Sequence, residues 1–526
     1  MSLTKASFSM ITGTPVNVMD FGATGNGTTD DTAAIQAAID SIPLSVGGVG
    51  GPNSPAAQGG WNLYFPTGVY IISNTLTVGS RRMSMHGTGM IGSNSSMIKM
   101  NPAFPNVNMV DYSNGSLDTL SIYGLQFWGA GAATGTGNAL TLGRSAQTCF
   151  DSQIKNCWFT AIPNACIYMD YCADMTVAHC GIENAKYGIY VNNTGISSGD
   201  INKFNDNTFY ALTLAGVYVN AGTNLLINDN QFDACGSAND TTGAIVLNHT
   251  GANAVRATAI QNNMFRANYN DIVSNGNGGS YSANTGVNVV NIVGNTSMLA
   301  YRRFAYFTDT NQASFTDNLV DTCNQSGLSL AAIDINGTSN GAYFSGNKTP
   351  NAVAAPYAAT YGLTLGAATV NSVIGDNAFA GTSGSINIDS GATYTNTAPL
   401  TSTWTPSIGG TATYTIQEGF YTKTGNQVFI KGKIVINTIG TGSTTVISGL
   451  PFVAQNATNG SLGAGSVYFF SGLATSVTTL VPFVTNNAST VQFSGLTAAA
   501  TAMSSGVTVF ASGTRIDFVL TYLSSS

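Results

Sequence analysis

One six-residue phrase recurs through the middle of the chain and narrows its folding options more than any other feature. It reads apolar, any residue, turn residue, Asn, any residue, apolar. Clear copies are IKNCWF from Ile154, VAHCGI from Val177, FNDNTF from Phe204, INDNQF from Ile227, IQNNMF from Ile260 and IGDNAF from Ile374. Looser copies start at Ile292, Phe315 and Phe344. Aligned on the fourth position, the anchors are Cys157, Cys180, Asn207, Asn230, Asn263, Asn295, Asn318, Asn347 and Asn377, in steps of 23 to 33 residues. A period of that size without helical periodicity means one coil of a solenoid. Each coil then holds short strands that stack in parallel about 4.8 Å above the coil below.

The phrase also assigns roles within a coil. The residue before the anchor (Asn156, His179, Asp206, Asp229, Asn262, Gly294, Asp317, Gly346, Asp376) is mostly a type that tolerates positive φ, as a sharp turn between strands requires. Buried Asn anchors are suited to amide bonds from coil to coil. Two residues after the anchor, Phe159, Phe209, Phe232, Phe265 and Phe379 are expected to stack inward in one column, with Ile182 and Val320 filling gaps. Ahead of the repeat, Asp30 is placed to cap a helix over about 31–42, with Ile35, Ala38, Ile39 and Ile42 on one face. Such a helix would cover the open end of a solenoid. After about residue 403 the pattern changes to strict alternation. Val428, Ile430, Ile434 and Ile436 oppose Lys431 and Lys433, and Ile516, Phe518, Leu520 and Tyr522 repeat the pattern, as in an antiparallel sandwich.

The string VNVMDFGATGNGTTDDTAAIQAAIDSI from Val16, followed by LYFPTGVYIIS from Leu63, resembles the opening of the pectate-lyase-superfamily β-helix of bacteriophage tailspikes. KASFSMITGTP before it resembles the neck of such domains, and WTPSIGGTATYTIQEGFYTKTGNQVFIKGKIVI from Trp404 is similar to a β-rich module at the ends of phage spikes and fibres. The resemblance implies an all-β chain, a single-stranded right-handed parallel β-helix followed by a C-terminal antiparallel β-sandwich-like domain. Its expected parts are an attachment neck at 1–15, the β-helix at 16–395, a linker at 396–403 and a trimerisation or glycan-binding domain at 404–526. It further implies a homotrimer on a virion, joined to other phage tail proteins through the N-terminus, made in the host cytoplasm. Such a spike binds and usually depolymerises bacterial capsule or O-antigen polysaccharide. The HGxG and paired-Asp motifs of polygalacturonases and the RxPxxR pattern of pectate lyases are missing, so no catalytic residue carries over.

Composition agrees with a glycan partner. Charged residues are 8% of the chain and the formal net charge is −7. That disfavours nucleic acid, whose binding requires phosphate neutralisation, and anionic membrane surfaces. No run is long and apolar enough to insert in a membrane. The seven Cys have no zinc spacing and read as buried thiols; no cofactor and no metal are expected.

Glycoside hydrolysis needs two carboxyl groups. Glu occurs only at Glu183 and Glu418, and Asp206, Asp229, Asp317 and Asp376 fall at the turn position. The third residue after each anchor should face outward. Down the coils that row reads Thr160, Glu183, Tyr210, Asp233, Arg266, Met298 and Asp321. Glu183 and Asp233 are the candidate catalytic pair, acid and base of an inverting hydrolase. Tyr210 between them offers a stacking surface, and Arg266 stands beside Asp233. Asp321 is a further binding candidate and, with Asp271, an alternative carboxyl. Tyr301 and Arg302, followed by Arg303, form an aromatic-basic loop that would suit a lyase acting on uronic acids, with His249 near Arg256 as a further lyase candidate. A non-catalytic receptor-binding spike on the same scaffold is the other reading.

Overall fold

The computed structural model describes residues 14–44, 61–92, 94–113, 117–131, 135–144, 148–193, 201–249, 254–277, 286–349, 359–396, 399–456 and 463–524. Most of the expected neck therefore lies outside the described residues. The chain divides into two compact units, 1–373 with 377–394, and 374–376 with 395–526.

The first unit is a parallel β-helix. One coil contributes the strands Thr176–Ala178, Gly181–Glu183 and Tyr187–Asn192; the next contributes Asn202–Asn205, Thr208–Tyr210 and Ala215–Thr223. Each pairs in parallel with its counterpart one coil away. We call the three resulting sheets first, second and third in chain order. The second contains 13 strands, from Asn26–Asp30 to Ala378–Phe379.

The turn between the first and second sheets forms as the phrase predicts. At eight of the nine positions before an anchor, from Asn156 to Gly346, φ lies between 50° and 69°. From Asn207 onward the anchors form a continuous ladder. Asn230 Oδ1 accepts from the Asn207 backbone N–H (3.0 Å) and side-chain amide (3.1 Å), and the pattern repeats through Asn263, Asn295, Asn318 and Asn347 to Asn377. Each amide's remaining proton goes back to a strand carbonyl, as from Asn263 Nδ2 to Ile227 O at 2.9 Å. Cys157 and Cys180 end this ladder as buried thiols, and all seven cysteines are buried and reduced.

Beside the ladder runs the apolar column. Phe209, Phe232 and Phe265 are fully buried and stack face to face, with ring centroids 4.6 and 5.3 Å apart. Ser297 interrupts the column between Phe265 and Val320. A second row of positive φ follows the second sheet at Ala161, Asn184, Ala211, Ala234, Ala267 and Leu299. Alanine there carries no marker that a sequence reader would take for a turn.

The helix at the start of the unit spans Thr32–Asp40, with Ile35, Ala38 and Ile39 fully buried. Asp31, not Asp30, occupies the cap position, and its carboxylate instead accepts the Thr24 and Gly25 N–H groups at 2.7 and 3.1 Å. Asp30 accepts the Thr32 N–H at 2.9 Å, so the two adjacent carboxylates divide the work. Gln36 on this helix donates to Thr77 O and accepts from Thr77 N (3.0 and 2.9 Å). Its amide acts as a missing strand partner for Leu76–Thr77, whose neighbour Val110–Tyr112 lies on the other side. That is how the helix blunts a free sheet edge.

The second unit is one nine-stranded antiparallel sheet. Residues 400–403, expected as linker, belong to its first strand, Leu400–Trp404, which pairs with Thr413–Thr424. A bridge from Ser407 to Ser448 brings the two ends of the strand order together, so a single sheet supplies both walls of a sandwich-like core. Trp404, Val428, Ile430, Ile434, Ile436, Phe518 and Leu520 are buried in it. Among the described residues, no helix is long and apolar enough to cross a membrane.

Candidate functional site

The outward row of the second sheet is built by strict register. Glu183 pairs with Tyr210, Tyr210 with Asp233, Asp233 with Arg266 and Arg266 with Met298. Because Ile182, Phe209, Phe232 and Phe265 are locked inward, the next residue of each strand must face out. Glu183 and Asp233 are two coils apart, roughly 9.6 Å between backbones by doubling the strand spacing. Tyr210 lies between them and is 47% exposed.

The two carboxyl groups sit in different environments. Glu183 is half-buried and its Oε1 accepts from the Thr160 hydroxyl at 2.9 Å. The Asp233 side chain is only 10% exposed, and its Oδ2 takes two bonds from Arg266, Nε at 3.0 Å and Nη2 closer still. This carboxylate raises the Arg266 guanidinium above its ordinary range. Arg266 is therefore an exposed cation already committed to one acid. Asp321 follows directly after the strand Leu319–Val320, beyond Met298 on the same face.

The loop candidates separate. Tyr301 lies off the row, in the turn after Thr296–Met298; it is exposed and stacks on Tyr269 with centroids 5.2 Å apart. Arg302 is largely buried, and its Nε and Nη2 bind Asp240 at 3.1 and 2.7 Å. Arg303 binds the same Asp240, bonds Asp334 at 3.2 Å and lies over the Tyr306 ring. The two arginines hold the Asp240 carboxyl below its usual range. The expected aromatic-basic loop is thus an exposed tyrosine next to an internally neutralised cluster. Asp240, the residue that ties it together, is not marked by the repeat.

Two other candidates do not reach the surface. Asp271 is fully buried inside the helix; its carboxyl accepts from Asn268 Nδ2 at 2.9 Å and from the Ser297 hydroxyl. Burial pushes it up to about 7. His249 is buried as well. On the third sheet, Tyr168, Tyr190 and Tyr218 stack in register with centroids 5.3 and 4.9 Å apart, a row the sequence reading did not use.

Residues 15–253, a little under half of the chain, match the sequence model of a family described as rhamnogalacturonase A/epimerase, pectate lyase-like. This segment is pectate-lyase-like. It includes Glu183, Tyr210 and Asp233. Shorter stretches are similar to curated proteins. One is 34% identical over 97 residues to a probable glucan endo-1,3-β-glucosidase of Arthroderma benhamiae, covering 18% of this chain and 10% of that protein. Another is 47% identical over 57 residues to the mannuronan C5-epimerase AlgE5 of Azotobacter vinelandii, covering 11% and 4%. The chain spans a tenth or less of the length of these relatives. Beyond the pectate-lyase-like segment, the fold as a whole is similar to that of the Dettilon tailspike protein, with a TM-score of 0.61 and 15% identity over 96% of this chain and 94% of that one. DFA-IIIase from Arthrobacter chlorophenolicus A6 aligns with a TM-score of 0.50 and 11% identity over 71% of this chain and 98% of that one. At these identities the likeness is one of fold.

Proposed function

We propose that the chain is a phage tailspike that binds and hydrolyses bacterial surface polysaccharide along the outer face of its second sheet. The observation that carries this reading is the register of Glu183, Tyr210, Asp233 and Arg266 on consecutive coils of a pectate-lyase-like helix. A glycan laid across these coils would stack a sugar ring on Tyr210. Glu183, oriented by Thr160, would protonate the leaving oxygen, and Asp233 would activate a water on the opposite side of the ring. Backbones roughly 9.6 Å apart let the two carboxyls approach the ~6.5–9.5 Å that leaves room for that water and gives inversion. Low overall charge and outward Thr, Asn and Tyr side chains suit an uncharged, hydroxyl-rich substrate. Assembly as a homotrimer and attachment to other tail proteins belong to the same proposal.

The test is release of reducing ends from purified capsular or O-antigen polysaccharide, with Glu183→Gln and Asp233→Asn compared with wild type. Loss of at least about a hundredfold in rate for both is expected for general acid and base. Full activity in both variants refutes the assignment.

One observation favours a second reading, a receptor-binding spike without hydrolysis. Asp233 is largely buried and already claimed by Arg266, an arrangement that serves a fixed binding surface equally well. Adsorption to encapsulated cells with no fall in polysaccharide viscosity would select that reading.

A further inference from the structure

Below Glu183 the same face carries an aromatic platform, and we infer that it is a sugar-binding subsite continuous with the carboxyl row. The argument starts at Gly181. It occupies an outward position of the strand Gly181–Glu183, since Ile182 between them points inward, yet it is buried. What buries it is the Trp158 indole from the coil below. A Cβ on Gly181 would lie 2.1 to 2.8 Å from three atoms of the six-membered ring, so no side chain fits there while Trp158 holds this position. Glycine inside a strand weakens it and marks a close approach. The coil above has an exposed Thr208 at the matching position. The Gly181–Trp158 exchange therefore costs stability and places a large ring at one particular spot.

That spot adjoins Glu183. Gly181 and Glu183 are alternate residues of one strand, about 6.6 Å apart along it. Trp158 also shares its strand with Thr160, which bonds Glu183. One coil further down, Trp128 is in register with Thr160 and is 40% exposed. Lys99 in the next coil lies over the Trp128 ring, its Nζ 5.6 Å from the centroid. Trp128, Thr160, Glu183, Tyr210 and Asp233 thus form one line along the helix axis, and Trp158 stands beside Thr160 in the parallel outward line that holds Gly181, so that rings lie on both sides of Glu183.

Rings half-buried beside a carboxyl fit the apolar C–H faces of pyranoses, whose hydroxyls are left to the solvent and to neighbouring Thr and Gln side chains. The ligand class is a linear oligosaccharide of pyranose units lying parallel to the helix axis. At least one unit sits on Trp158 and one on Trp128, below the unit at Tyr210. Lys99 places a cation at the lower end, where an acidic sugar would be accepted. This subsite rests on the reading of the face as a glycan site and adds the direction and register of the chain.

The experiment uses the full chain and a panel of purified bacterial capsular and O-antigen polysaccharides, followed by intrinsic tryptophan fluorescence and by titration calorimetry. The chain has four Trp, of which Trp61 is exposed on the first sheet, away from this face. With a polysaccharide that wild type binds, saturation is expected to change the emission. Trp158→Ala should weaken binding about tenfold, the loss of roughly one aromatic contact, and reduce the emission change to the part contributed by Trp128. Gly181→Ala keeps every Trp but displaces the indole; it should weaken binding similarly while its own spectrum persists. Trp61→Phe should leave affinity and emission change intact. Binding by wild type together with unchanged affinity and emission response in both Trp158→Ala and Gly181→Ala overturns the subsite and leaves the glycan reading standing. Wild type that binds no member of the panel overturns the glycan reading and the subsite together.

Discussion

Replacing Asp271 by Asn should stabilise the β-helix at neutral pH and do almost nothing at pH 4. Asp271 is fully buried, and burial raises its carboxyl from an ordinary 3.8 to about 7. The folded state therefore holds a proton that the unfolded chain releases near pH 4. The associated stability is fully present below about pH 3.8, falls as pH rises toward 7 and is gone above it. A shift of about three units at 1.36 kcal/mol each gives about 4 kcal/mol between the two limits. Asn reproduces the neutral acid: its oxygen accepts from Asn268 Nδ2 and its NH₂ donates to the Ser297 hydroxyl, the two partners Asp271 has now. For a unit of roughly 390 residues, a gain of about 4 kcal/mol raises the melting temperature by about 5 °C. Scanning calorimetry of wild type and Asp271→Asn at pH 8 and pH 4 is the assay, with differences of about 5 °C and under about 1 °C expected. Equal melting at pH 8, or the same gain at both pH values, would show that the buried group does not titrate as argued. Asp271→Leu is the companion variant. It also removes the charge but strands the Asn268 and Ser297 donors, so it should fall below Asp271→Asn at both pH values.

Other perturbations test other parts of the scaffold. Asn263→Ala removes an amide that accepts twice from Asn230 and donates to Ile227 O and Asn295 Oδ1; leaving those buried groups unpaired should cost about 4 kcal/mol, read as a lower melting temperature. Gln36→Ala uncovers the Thr77 backbone at the sheet edge; a loss of about 1 kcal/mol is expected, with increased concentration-dependent association by light scattering. Arg303→Met leaves Asp334 buried without its guanidinium partner and Asp240 held by Arg302 alone. It should cost about 3 kcal/mol and open the loop around residue 240 to limited proteolysis, which Arg302→Lys should do far less.

Features that repeat from coil to coil were legible in the sequence; features that occur once were not. The turn before each anchor, the Asn ladder, the Phe column and the outward row all follow from one phrase, because coils in register place equal positions above one another. The alternation of Val428, Ile430, Ile434 and Ile436 marked their burial in the same way. Asp271 was misjudged because its environment depends on a single substitution elsewhere. Ser297 stands where the column otherwise holds a large apolar residue, and that gap is filled by a carboxyl from the third sheet. A polar residue in an apolar column was a readable signal, but its partner was 26 residues away. The long step between Asn230 and Asn263 likewise announced an insertion without revealing that its Asp240 would reach 62 residues ahead to Arg302. The closing of nine C-terminal strands into one sheet rests on pairings such as Gln427 with Leu523, which no local pattern specifies.

The same contrast explains how this scaffold can carry a binding site at little structural cost. Interior positions are constrained twice, by the coil below and the coil above, and each Asn anchor bonds in both directions. The outward residues of the second sheet sit on those coils without sharing their burden: Phe232 and Phe265 stay stacked whether Asp233 and Arg266 or other residues follow them. Each coil therefore offers replaceable outward groups, advanced by about 4.8 Å from those of the last. That spacing is on the scale of a single sugar ring, so a row of outward residues can meet a linear glycan one unit at a time. On the proposed glycan reading, Trp128, Thr160, Glu183, Tyr210 and Asp233 are such a row, with Trp158 in the line beside it. On that reading, changing the glycan requires changing only these outward residues, which predicts that the aromatic ones can be exchanged with losses in affinity rather than in folding.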